Sequence, residues 1–144
     1  MPITYHPKIG TLVLCDFTTG FLPPEMVKRR PAVVISPPIG LRKELCTVVP
    51  ISTTVPVPAV PWQVEITLDP PLPSPWDAGP HWVKADMVFA ASFSRLDLFR
   101  LPRRDGKRQY LEQRVTDGDL RRIRGCLLAS LGLVSLTENL PGTI

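Results

Sequence analysis

The chain has 144 residues, the size of one ordinary domain, with 44% apolar residues and a net charge of +4. Its longest apolar runs are a handful of residues, and the opening MPITYHPKIG has neither the cationic flank nor the hydrophobic stretch of a signal peptide. A membrane protein is thereby disfavoured and a cytoplasmic one expected.

Cys15, Cys46 and Cys126 sit among apolar residues without C-x-x-C spacing, which predicts small buried thiols in a reducing compartment rather than bridges or ligands. The eighteen prolines gather at segment boundaries and between residues 56 and 80, where they punctuate a loop-rich β protein. Residues 1–94 hold seven Lys/Arg and seven Asp/Glu, so the positive excess comes from residue 95 onward, mostly from RLDLFRLPRRDGKRQY. That cluster suits either a polyanionic partner or a solvated basic loop.

In chain order, TLVLCDF (11–17) reads as a strand followed by a long loop, and PAVVIS (31–36) as a central strand buried on both faces. LCTVVPIST (45–53) is a third strand. Its Pro50 cannot donate to a ladder and marks a bulge, an end or an edge. WQVEITL (62–68) alternates, with Trp62, Val64, Ile66 and Leu68 on one face and Gln63, Glu65 and Thr67 on the other. After the proline-rich loop 69–80, HWVKADMVFAAS (81–92) reads as a fifth strand, and the RDGK turn joins two more.

The period then changes. Leu120, Ile123, Leu127, Leu128 and Leu131 recur at helical spacing, Thr116 with Asp119 resembles a capping box, and Gly132 is a natural stop. The expected fold is one domain over residues 1–144, without repeats. It is mainly β with a C-terminal α-helix: a small, strongly bent antiparallel sheet or barrel of five to seven strands whose open face the helix covers.

His6 and His81 have no second His or Cys at ligand spacing, and there is no G-x-S-x-G elbow, Walker loop or G-x-G-x-x-G. No metal and no cofactor are expected. His81 reads as a packed loop residue. What remains is a convergence between strands: if PAVVIS and CTVVPI pair antiparallel, Arg30 sits beside Ser52 and Thr53. A guanidinium next to hydroxyls suits a phosphodiester, and on RNA the substrate's own 2′-hydroxyl can attack. The alternative is that Arg30 is a solvated strand end, or an ion-pair partner of Asp16 or Glu25, and that the hydroxyls merely end a strand.

The segments GTLVLCDF, KRRPAVVIS, CTVVPIST, WVKADMV, SRLDLFR and DLRRIRGCLLASLGL stand in the order found in the PemK/MazF toxins of type II toxin-antitoxin modules, and the chain resembles that family over residues 8–133. The resemblance implies an SH3-like barrel shared with CcdB-like gyrase inhibitors, assembled as a homodimer. It implies a sequence-selective, metal-independent mRNA interferase that cuts single-stranded RNA to a cyclic phosphate and a free 5′-hydroxyl. It also implies Arg30 as catalytic acid or base, and Ser52, or Thr53 as the shifted alternative, as its partner. Lys28, Arg29, Asp16, Glu25, Lys84 and Arg95 are the positions expected to meet RNA or a cognate antitoxin with an acidic tail.

A guanidinium is a poor proton carrier, so Arg30 reads as an electrostatic clamp unless Asp16 or Glu25 perturbs it. FLPPEMV stands where many members have a Gly/Ser-rich loop, and Ser52 where Thr is common. Two other functions fit the same residues: a non-catalytic toxin that binds a protein such as gyrase, and an RNA-binding module resting on the basic hairpin of residues 95–108.

Overall fold

The computed structural model describes residues 2–141. In chain order the strands are β1 (Leu12–Asp16), β2 (Arg29–Val34), β3 (Leu45–Ser52), β4 (Gln63–Ile66), β5 (His81–Lys84), β6 (Phe89–Ser92), β7 (Leu96–Asp97), β8 (Phe99–Arg104) and β9 (Lys107–Leu111), followed by helix α1 (Asp117–Ser130). The main sheet is antiparallel in the order β4-β5-β3-β2-β1-β7, with β6 also paired to β3. The architecture is mainly β with one C-terminal helix, as the sequence implies. Among the described residues no helix is long and apolar enough to cross a membrane.

The apolar runs of β1, β2 and β3 are buried on both faces because two separate cores use them. Leu12, Leu14, Val33, Val49 and Ile51 face one core, which Leu120 and Ile123 of α1 close. Val13, Cys15, Ala32, Val34 and Val48 face the other, which Phe17, Phe21 and Met26 of the loop after β1 cover.

The segment 81–92 is not one strand. A 3₁₀ turn at Ala85–Met87 divides it, because a single edge of β3 takes two partners: Leu45–Val48 pairs with β6 and Ile51–Ser52 with β5. The turn carries the chain from one to the other, and the sheet bends there. The strands β8 and β9 form a separate two-stranded sheet whose turn residues Asp105 and Gly106 both take left-handed φ, 51° and 74°. That is the conformation a tight two-residue hairpin requires.

Helix α1 begins where Thr116 Oγ1 accepts from the Asp119 N–H at 3.0 Å. It ends in a closed C-terminal motif: Gly132 (φ 73°) donates to Ala129 O and Leu133 donates to Leu128 O at 2.8 Å. Leu131, expected on the apolar face, lies beyond this last turn and is 59% exposed. Cys15 and Cys46 are buried as expected, whereas Cys126, on the flank of the helix, is only partly covered.

Thr116→Ala is expected to lower the unfolding free energy by about 1 kcal/mol, and Ile123→Ala, which opens a hole at a fully buried position, by about 2–5 kcal/mol. Urea denaturation measures both. A loss below about 1 kcal/mol for Ile123→Ala would show that the helix does not close the core.

Candidate active site

The pairing of β2 with β3 runs Val34↔Val48, Val33↔Val49, Ala32↔Pro50 and then stops. Ile35 donates to Thr47 O at 3.0 Å, so alternate pairs along this register exchange hydrogen bonds, and the next such pair would be Pro31 with Ile51. Pro31 has no N–H to give. The ladder therefore ends at the point where the register, continued, sets Arg30 opposite Ser52. On its other side β2 stays paired, with Cys15↔Arg30 and Asp16↔Arg29, so the backbone of Arg30 is pinned to β1 while no ladder pair ties it to β3.

Side chains directly across a sheet share a face. Arg30 stands with Cys15, Ala32 and Ser52 on the face away from α1. Its Nε is buried and has no hydrogen-bond partner. Ser52 is 5% exposed, and its Oγ accepts from the Thr54 N–H at 3.0 Å, which orients the hydroxyl and leaves its own hydrogen for another acceptor. Thr53 lies past the end of β3 and is exposed.

The charged residues expected to accompany Arg30 are distributed differently. Arg29 follows the strand alternation to the opposite face, where it meets a groove of about 250 Å³ with Asp97, Arg100, Ser74 and Trp76. Lys28 is exposed just before β2. Asp16 does not pair with Arg30: its Oδ1 accepts from both the N–H and the hydroxyl of Thr18. Those bonds, helped by the charges of Arg29 and Arg95, hold its carboxyl below the usual range. Glu25 turns back to accept from the Leu22 N–H at 2.7 Å. None of these bonds reaches Arg30.

Arg95 is a loop clamp. Its Nη1 donates to Asp16 O at 3.1 Å and Thr19 O at 2.8 Å, and its guanidinium lies 4.8 Å from the centre of the Phe21 ring. Gly20 lets the loop pass: it has φ +82°, and a Cβ there would stand 3.4 Å from Arg95 Nη2. His81 begins β5 and bonds through Nε2 to Trp76 O at 3.0 Å, tying the proline-rich loop to the sheet.

The row through Arg30 and Ser52 continues into residues that the sequence reading left out. Ser52 pairs with Trp82, and Trp82 with Glu65; Lys84 pairs with Gln63 on the same face. Lys84 is thus on the Arg30 face, as a binding role requires. The signal was available in HWVK, since Val83 in the core puts Trp82 and Lys84 on the other side.

The family model for the PemK-like, MazF-like toxin of type II toxin-antitoxin systems matches residues 8–128. The chain belongs to the PemK/MazF toxin family. It is 30% identical to an uncharacterized protein of Haemophilus influenzae, over 80% of this chain and 86% of that one. It is 29% identical to YifN of Escherichia coli, over 94% and 99%. Among solved structures, MazF of Deinococcus radiodurans superposes with a TM-score of 0.60 at 26% identity, covering 89% of this chain and 98% of that one. A mycobacterial endoribonuclease solved with its cognate antitoxin shares the fold, with a TM-score of 0.58 at 22% identity and coverage of 88% and 96%.

In this toxin the thiol beside Arg30 is not a nucleophile. Burial pushes Cys15 up to about 12, although the charge of Arg95 pulls the other way, and burial pushes Cys46 up to about 11. Both stay protonated near neutral pH.

Iodoacetamide at pH 8 is expected to modify Cys126 of the folded toxin first and to leave Cys15 and Cys46 intact until the chain unfolds, as read by peptide mass spectrometry. Rapid modification of native Cys15 would contradict the burial. Arg95→Ala is expected to release the loop of residues 17–28, with trypsin cutting at Lys28 at least several-fold faster than in the parent. An unchanged rate would show that the carbonyl contacts do not hold the loop.

Proposed function

We propose that the toxin is an endoribonuclease that cuts single-stranded RNA where Arg30 and Ser52 face each other. The observation that carries this reading is the end of the β2–β3 ladder, where the continued register sets Arg30, whose Nε has no partner, opposite a hydroxyl already oriented by Thr54. A phosphodiester fits between them. The guanidinium accommodates two of its oxygens, and Ser52 donates to a non-bridging one.

The reaction this favours needs no protein nucleophile. The ribose 2′-oxygen attacks phosphorus, the bond from phosphorus to the 5′-oxygen breaks, and the products are a 2′,3′-cyclic phosphate and a free 5′-hydroxyl. One proton leaves the 2′-hydroxyl to water and one reaches the 5′-oxygen from water, so Arg30 stays charged throughout. Arg30 and Ser52 act on the negative charge that builds on the phosphoryl oxygens, the task a metal would otherwise perform. Thr53 is outside the ladder and takes no part.

The working assembly in this reading is a cytoplasmic homodimer neutralised by an antitoxin whose acidic tail follows the exposed Lys28 and Arg29. Charge complementarity supports the antitoxin, and the mycobacterial relative solved with its cognate antitoxin gives a precedent.

Induction without an antitoxin should arrest growth, and purified toxin should cut RNA equally in EDTA. Arg30→Ala and Ser52→Ala should each reduce kcat by about 10²–10³-fold and relieve the arrest. Growth arrest that survives the Arg30→Ala, Ser52→Ala double change would point to a protein target.

A further inference from the structure

Resting on that reading, we propose that Trp82 is the platform on which the toxin stacks a guanine beside the scissile phosphate, with Glu65 reading the edge of that base. Trp82 lies one strand from Ser52 in the same cross-strand row, and neighbouring strands stand about 4.8 Å apart. A phosphate held at Ser52 therefore brings its own nucleotide over the indole. Trp82 is half-buried although no core claims it: Val83 before Lys84 takes the core position, and α1 packs on the opposite face.

Polar atoms on this face are left without partners. Trp82 Nε1 and Gln63 Oε1 are both buried and unbonded, as is Arg30 Nε. Such atoms are expensive to leave unmatched inside a protein. A nucleotide matches them once Trp82 and Gln63 turn outward on binding, a side-chain change common at interfaces. The indole face then stacks the base, its N–H meets a ribose or phosphate oxygen, and the Gln63 carboxamide meets a polar group on the base, whichever way it is turned.

Glu65 selects the base. It stands directly across from Trp82 and is exposed, and the partner of Lys84 in this ladder is Gln63, diagonal to it. A carboxylate accepts from two parallel N–H groups, which guanine offers at N1 and N2, and an ammonium beside it can donate to O6. Uracil and cytosine have no such adjacent donor pair.

The test uses the full-length protein, a random-sequence single-stranded RNA, and its 2′-deoxy counterpart, which lacks the attacking hydroxyl. Cut ends are mapped by sequencing. The parent should cut next to guanine. Trp82→Ala should lower kcat/KM roughly 5- to 150-fold, Trp82→Phe should recover most of the loss, and Glu65→Gln should keep cutting while losing the guanine preference.

In a Trp62→Phe, Trp76→Phe protein, where Trp82 is the remaining indole, the deoxy strand should quench fluorescence. This readout does not depend on whether Trp82→Ala folds. If RNA is cut, yet guanine is not preferred, the indole is not quenched, or folded Trp82→Ala cuts at the parental rate, the proposal is overturned and the nuclease reading stands. If the parent cuts no RNA but the deoxy strand quenches Trp82, the nuclease reading fails and the stacking site stands. If neither is seen, both fall.

Discussion

A proline has no N–H, and in this toxin that missing donor decides where the β2–β3 ladder ends. Two β-branched strands pair tightly through Val34↔Val48 and Val33↔Val49, then reach Pro50 at a position that needs no donor and Pro31 at one that does. The ladder ends there without a bulge or a loop. Arg30 stays attached to β1 and Ser52 to β5, so each is held by a strand on its outer side. Preorganised donors stabilise charge best when they do not have to move, and sheet strands hold side chains more firmly than loops do.

The opposing requirement is a core. Strands buried on both faces leave little room for a polar site, and the chain resolves this by dividing the faces along their length. Toward the start of β3 the face away from α1 is apolar, roofed by Phe17, Phe21 and Phe89, whose ring centroids lie 5.2–5.3 Å apart, with Phe21 edge-on to both others. Toward its end the same face turns polar, with Arg30, Ser52, Trp82 and Glu65 in one row. Arg95 joins the two halves by fixing the aromatic loop to the backbone of β1.

Much of this was legible in the sequence because it depends on period and register. Alternation in WQVEITL gives the correct faces for Gln63–Ile66, the second and third strands pair antiparallel in the register that, continued, sets Arg30 opposite Ser52, and Thr116 and Gly132 bracket the helix. The same period of two separates Arg29 from Arg30, a consequence obscured when KRR is treated as one charge cluster. Other features were out of reach. The clamp of Arg95 on Thr19 O joins residues 76 apart through backbone carbonyls, which carry no sequence signature. The break in 81–92 follows from β3 needing two partners along one edge, and no local propensity encodes that.

Pro31 ends the β2–β3 ladder before Arg30 reaches Ser52, and Pro31→Val removes that stop, since valine fits a buried strand and restores the donor. Activity on single-stranded RNA and urea stability should be measured together. Pro31→Val should be at least as stable as the parent while its kcat/KM falls by at least tenfold, with an added slow-exchanging amide at residue 31. Parental cleavage by a folded Pro31→Val protein with that amide protected would contradict this role for Pro31.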